Sequence, residues 1–254
     1  MSIRLQNPHS VLAVLQTRPS DVADIQLASR NPSVAWENVA NLAAARHVPV
    51  RVNRHRPTGS RRKTNHHEKQ GGRSGGSFAT VQENSGVSLE ELFPESHETT
   101  PTNGLYLALD CLQDPHNVGA IFRSAAFFGV KGIVLTKDRS APLNGTVYDV
   151  ASGGVEYVPF SVQTNLARAL DMAQKNGLWI LGTSEHAETD FRDVQADRSW
   201  LLVVGNEEKG MRRLTQEKCD VICKLEPQSP VSSLNVSVAT GVFIAALSGA
   251  VSAR

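Results

Sequence analysis

The sequence predicts an α/β protein in two parts: a small N-terminal α/β domain and a C-terminal domain whose parallel sheet is covered on both faces. Three observations predict it. Beyond residue 100 the chain repeats a rhythm of strand, turn and helix, and its strands are nearly continuous apolar runs, as strands buried on both faces are. Before residue 50, helix-like and strand-like segments alternate on a smaller scale. Between them, residues 51–73 and 83–103 lose apolar periodicity altogether. At 254 residues, 40% hydrophobic and 20% charged, the chain can hold two domains, each with a buried core.

In order along the front, residues 9–15 read as a helix and 22–27 as a short strand. Asn31-Pro32-Ser33 punctuates, with Ser33 placed to cap a helix over 34–45. Residues 48–52 read as a further strand. From Arg51 to Arg73 the chain turns to Arg, Lys, His, Gly and Asn, with Arg61-Arg62-Lys63 at its centre. Such a segment cannot bury enough apolar surface to order itself alone. Residues 77–81 return as a strand, and 83–103, with five Glu plus Pro94 and Pro101, have the composition of an acidic linker. The expected domains are therefore 1–82 and 104–254. In the second, residues 105–109, 132–136, 157–160, 179–181, 200–204 and 221–225 read as strands. Residues 117–128, 166–175 and 235–248 read as helices, the middle one ended by Asn176-Gly177.

Composition excludes several classes. No apolar run reaches the roughly 18 residues that span a bilayer; the most apolar stretch, 236–251, is broken by Ser237, Thr240, Gly241 and Ser248. The first twenty residues carry no targeting pattern, so a cytoplasmic protein is expected. Cys111, Cys219 and Cys223 make no disulfide framework, and no second Cys or His pair follows to complete a metal site. Charge is uneven. Residues 1–80 hold 12 Lys/Arg against 4 Asp/Glu, and the remainder 14 against 21. A basic front suits a polyanion such as RNA, and Arg54, Arg56, Arg61, Arg62 and Lys63 are its candidate contacts. The alternative is a basic linker without a specific partner.

In parallel α/β sheets ligands bind beyond the carboxyl ends of the strands, and three loops there are chemically loaded. One runs Asp114-Pro115-His116-Asn117-Val118-Gly119 into a helix carrying Arg123, with Asn117 a plausible cap and Gly119 open to close approach by a ligand. The second is Gly205-Asn206-Glu207-Glu208-Lys209-Gly210, and the third runs from Pro227 to Ser237. None is a dinucleotide fingerprint or a P-loop, which removes a nicotinamide-linked oxidoreductase from consideration.

These loops resemble the three motifs of the SpoU (TrmH-like) branch of the SPOUT RNA methyltransferases. NVGAIFR is similar to the first motif, GNEEKGM to the second, and the run from Pro230 through SSLNVSVATG to the third, in the same order and spacing over residues 105–250. The front is similar to the small substrate-binding domain of the subgroup that methylates a guanosine of large-subunit ribosomal RNA, through VLAVLQTRPSDVADIQL, VPV and HEKQGG. The resemblance implies a deep trefoil knot, S-adenosylmethionine as methyl donor, a homodimer, and transfer to a ribose 2′-hydroxyl of RNA. It implies that Thr183, Gly205, Leu225 and Leu234 hold the donor, and that Arg123 is catalytic, supported by Asn117, Glu207, Ser233 and Asn235. A guanidinium stays protonated at neutral pH, so a phosphate clamp or an alkoxide stabiliser stands beside a base as the role of Arg123. A transfer RNA substrate, and an RNA-binding assembly factor without catalysis, remain as alternatives.

Overall fold

The computed structural model describes residues 1–52, 76–94, 104–231 and 233–249. The expected RNA contacts Arg54, Arg56, Arg61, Arg62 and Lys63 lie outside these residues, as does Ser232. The chain divides into two compact units, Met1–Glu83 and Asn84–Arg254.

The first unit runs β1 (Ser2–Leu5), α1 (Pro8–Thr17), β2 (Val22–Leu27), α2 (Val34–Ala45), β3 (Val50–Val52) and β4 (Phe78–Gln82). Its sheet order is β1-β4-β2-β3, with β4 antiparallel to both neighbours and β2 parallel to β3. Helix α1 starts where Asn7 accepts the His9 amide at 2.9 Å, with Pro8 in the first turn, where it has no amide to lose. Helix α2 occupies the predicted span, although the Ser33 side chain makes no capping bond. The two helices pack on each other. With one face of the sheet they bury Leu5, Val11, Val14, Leu15, Ile25, Val39, Ala79 and Val81 completely.

The second unit runs α3 (Leu89–Leu92), β5 (Leu105–Asp110), α4 (Pro115–Phe127), β6 (Gly132–Thr136), α5 (Gly145–Ala151), α6 (Gly154–Tyr157) and β7 (Phe160–Gln163). It continues through α7 (Leu166–Lys175), β8 (Trp179–Thr183), β9 (Thr189–Asp190), β10 (Trp200–Gly205), α8 (Arg213–Gln216), β11 (Val221–Lys224) and α9 (Val236–Leu247). Among the described residues the sheet order is β7-β6-β5-β10-β8-β11-β9, every pair parallel. The chain steps outward from β5 to β7 and then returns to build the other half. The crevice between β5 and β10 is therefore the point where strand order reverses, the place such sheets keep for a ligand.

One face of this sheet carries Ala108, Val134, Ile180, Leu201 and Val203 under α3 and α7. The alternate side chains meet α4, which contacts α5, α6 and α9 and sets Phe122 edge-on to Phe160 at 5.8 Å. That anchor fixes the helix bearing Asn117 and Arg123. No helix of the described residues is long and apolar enough to cross a membrane.

The structure differs from the sequence reading in several places, three of them in the fold. Part of the acidic segment 83–103 is ordered into the second unit. Ser88 and Glu91 form a reciprocal capping box, and Leu89, Leu92 and Phe93 are buried in the core, a short apolar face that the surrounding Glu and Pro obscured. Residues 157–160 are not one strand: α6 ends at Tyr157 and β7 begins at Phe160. Gly119 faces α5, not a ligand. A Cβ there would lie 2.7 Å from the Val147 carbonyl oxygen and 2.7 Å from Val150 Cβ, so the glycine lets two helices approach.

Candidate active site

The three loops converge at the strand tips. The loop after β10 is wound tightly. Asn206 and Gly210 exchange backbone hydrogen bonds of 3.1 and 2.9 Å, and Asn206 Oδ1 accepts the amides of Glu208 and Lys209, both at 3.1 Å. Gly205 has to be glycine because this loop folds back on it: a Cβ would sit 2.2 Å from the Met211 nitrogen. A constraint internal to the loop therefore stands beside its expected role in holding the donor.

Two tethers hold that loop to the end of β5. Asn206 Nδ2 donates to the Cys111 carbonyl at 2.9 Å. The carboxylate of Asp110, wholly buried, accepts from Arg212 Nε at 2.7 Å and from its amide at 3.0 Å. A buried carboxylate is tolerable only when paired and hydrogen-bonded in this way. Cys111 itself adopts φ +63°, rare outside glycine, turning the chain so that the amides of Gln113 and Asp114 reach Glu207, each at 3.3 Å.

Glu207 is the hub. Besides those amides it accepts from Asn206 Nδ2 at 3.3 Å and from Asn117 Nδ2 at 3.1 Å. Asn117 is not the cap of α4. Asp114 caps it, through the His116 amide at 2.8 Å, because Pro115 fixes the first turn. Asn117 lies buried in that turn, and its Oδ1 accepts from Asn235 Nδ2 at 3.0 Å. Asn235 in turn caps α9, its Oδ1 accepting the Ser237 amide at 2.9 Å, which aims its amide group at Asn117. One residue from each loop thus forms a chain, Asn235 to Asn117 to Glu207.

Beside this chain opens a cavity of about 800 Å³, within the range typical of small-molecule sites. All four expected donor-binding residues line it, Thr183, Gly205, Leu225 and Leu234, together with Glu207, Ser233 and Asn235. Thr183 Oγ1 donates to the Val203 carbonyl at 3.1 Å, leaving its lone pairs for a ligand. Leu234 is 53% exposed and Ser233 is exposed. Cys223 also lines the cavity, but burial, reinforced by Asp190, pushes its thiol up to about 12, so it stays protonated and is no nucleophile. Arg123 does not line the cavity. It is exposed on α4, and among the described residues no side chain pairs with it.

A family model described as the SpoU rRNA Methylase family matches residues 104–245, more than half of the chain. The chain belongs to the SpoU rRNA methylase family. It is 39% identical over 236 residues to the 23S rRNA (guanosine-2'-O-)-methyltransferase RlmB of Pseudomonas aeruginosa, covering 93% of this chain and 92% of that protein. It is 40% identical over 158 residues to the putative TrmH family tRNA/rRNA methyltransferase YacO of Bacillus subtilis, covering 62% and 63%. Among solved structures, the SpoU methyltransferase AviRb of Streptomyces viridochromogenes in complex with AdoMet matches with a TM-score of 0.76 at 16% identity, over 97% of this chain and 89% of that one. At that identity the likeness speaks to the fold.

The sequence of this SpoU family member did not reveal Asp110, Cys111, Asn206 and Arg212 as the residues that hold these loops. Asn206 stood inside the second motif and could have been found there, as a loop-start Asn followed by residues whose amides need an acceptor. Asp110 and Arg212 are 102 residues apart, and nothing in their local sequence couples them.

Proposed function

We propose that this chain transfers a methyl group from S-adenosylmethionine to the ribose 2′-hydroxyl of a guanosine in 23S ribosomal RNA, acting in the cytoplasm as a homodimer. The observation that carries the reading is the hydrogen-bonded chain Asn235–Asn117–Glu207 beside a cavity, in a family member that aligns along 92% of a relative named for this reaction.

The residues present fit the donor. Leu225 and Leu234 offer apolar walls for an adenine ring, and Gly205 and Thr183 offer backbone and hydroxyl groups between them. Bound there, S-adenosylmethionine would supply an electrophilic methyl group. Transfer needs the attacking oxygen held within about 3–3.5 Å and in line, so the chain's own residues chiefly position. Glu207, fixed by its donors, holds Asn117, and Asn117 holds Asn235 at the mouth of the third motif. The Ser233 hydroxyl, exposed at the cavity, is placed to orient the incoming ribose. The reading includes the knotted path of the third motif that the family resemblance implies.

Arg123 supplies the remaining charge as phosphate clamp or alkoxide stabiliser, and its exposure away from the cavity of its own chain is a reason for the dimer. It shares a helix face with Phe127, 82% exposed, one turn on. Helix α9, which packs against α4, exposes Val238 and Val242, also one turn apart. A partner on this apolar face would bring Arg123 to the other protomer's cavity, so the active site is completed across two chains.

Mapping 2′-O-methyl groups in ribosomal and transfer RNA from cells with and without the gene tests the reading. Loss of one guanosine methyl group in 23S rRNA is expected. Loss confined to tRNA would move the substrate to the other class that the Bacillus subtilis relative's name allows, and no loss in either would overturn it.

A further inference from the structure

At the carboxyl end of β6, two strands from β10, the loop that follows is built with unusual care for a surface turn. It reads Lys137-Asp138-Arg139-Ser140-Ala141, and its first three residues are exposed. Arg139 holds φ +59°, a left-handed conformation that a long side chain rarely adopts. The loop is pinned from the catalytic side. Thr136 Oγ1 and Ser140 Oγ lie 2.5 Å apart, the Ala141 amide donates to the Leu112 carbonyl at 2.8 Å, and Cys111 Sγ donates to the Asp138 carbonyl at 3.7 Å. The same Cys111 anchors Asn206 of the second motif through its carbonyl, so this loop and the donor pocket share one support.

The cations here are free. Among the described residues neither Lys137 nor Arg139 makes a side-chain hydrogen bond or an ion pair, although shielding acids are common elsewhere on this acidic unit. A third cation stands across Cys111. Arg212 is held by its Nε and its amide against Asp110, which leaves the far edge of its guanidinium without a partner among the described residues, and its charge is felt at Cys111. Asp138 is the one exposed acid within the loop. Strain at a site that the surroundings over-determine marks function more often than accident, and rigidly presented, unpaired cations are what a phosphodiester backbone needs.

We infer that Lys137, Arg139 and Arg212 form a phosphate-binding rim that grips the RNA backbone flanking the nucleotide delivered to the donor pocket. The inference rests on the methyltransferase reading and deepens it, because it names a docking edge on the catalytic unit in addition to the basic segment of the front. The rim lies beyond the carboxyl ends of β5 and β10, the strands that bracket the crevice, and of β6 beside them. Lys137 and Arg139 position RNA and line no part of the cavity, while Arg212 adds its outward guanidinium edge to its hold on Asp110.

The test is the double variant Lys137→Gln/Arg139→Asn, the asparagine chosen because it tolerates the left-handed backbone. Binding of a 23S rRNA transcript is measured by filter retention across a salt series, and S-adenosylmethionine binding by calorimetry. The expected result is an RNA dissociation constant raised about tenfold near 0.1 M salt and a log–log salt slope shallower by about 1–2, as loss of one or two phosphate contacts gives. Donor affinity and turnover at saturating RNA should stay within about twofold. An unchanged RNA affinity and slope, in a preparation whose wild-type protein methylates the transcript, would overturn the rim and leave the proposed reaction intact. Loss of donor binding in the variant would also overturn it, since the loop would then be part of the pocket's frame. A wild-type protein that neither binds nor methylates the transcript would remove both.

Discussion

The two walls of the cavity are made differently. The wall formed by residues 205–211 is tied at every turn: Asn206 to Gly210 and Cys111, Arg212 to Asp110, Glu207 to four donors. The wall formed by residues 226–231, 233 and 234 is exposed, and its described hydrogen bonds are short-range, such as the Val231 amide to Ser229 Oγ at 3.3 Å. One wall is preorganised and the other is free to adapt. A site that must exclude water around a small donor and then release the spent product benefits from that division, because a rigid wall sets geometry while a loose one opens and closes.

Gly205→Ala should break the contrast most severely. The added Cβ would meet the Met211 nitrogen at 2.2 Å, and backbone cannot step aside as a side chain can. A loss of about 3 kcal/mol is expected, seen as a fall in Tm of about 6–12 °C together with loss of donor binding by calorimetry. A variant that keeps wild-type Tm and affinity would show that the wall is not rigid. Glu207→Ala comes next: it leaves four donors without their acceptor and releases Asn117. Turnover should fall by at least about 10²-fold, as removal of a preorganised group does, with a smaller loss of Tm; steady-state kinetics and a thermal melt decide it.

Leu234→Ala sharpens the comparison from the other side. At 53% exposure the side chain adds little to folding, so stability should change by less than about 0.5 kcal/mol. Donor affinity should nonetheless weaken about tenfold, equivalent to about 1.4 kcal/mol, as an apolar contact made only on binding is lost. Equal losses in folding and binding would put this wall in the same class as its opposite.

The smallest effect concerns pH. Burial pushes the Cys219 and Cys223 thiols up to about 12, from an ordinary value of 9.0, with Asp220 and Asp110 adding to the first and Asp190 to the second. Raised folded-state values mean that the unfolded chain loses these protons first as pH rises. The stability they contribute is therefore fully present below pH 9 and is lost between 9 and 12. Melts from pH 6 to 8 should be insensitive to these thiols. Above pH 9 the wild type should lose Tm more steeply than a Cys219→Ala/Cys223→Ala variant, and parallel curves would refute the assignment.

Much of this was legible in the sequence where local signals were strong. Helices α2 and α7 and strands β2 and β6 occupy their predicted residues because apolar period and punctuation agree there. Short or tertiary-dependent elements were not legible. Helix α5, with four β-branched or aromatic residues in seven, forms against the glycine face of α4, which no local window contains. Of the site, the residues that line the cavity were readable from motif resemblance. Their supports were not: Asp110 looks like the end of an apolar strand, and Asn117 looks like a cap until Asp114-Pro115 takes that position. The exposure of Arg123 depends on how α4 is rotated, which its sequence alone does not fix.

The hydrogen bond between Asn117 and Asn235 joins positions 118 residues apart, across the reversal of strand order. No fragment of this unit can assemble the site early, because both halves of the sheet must already be in register when the two amides meet. Contacts of such long sequence separation form late and slowly. Ability to hold a ligand at these strand tips therefore matures late in folding, once α9 has docked on α4.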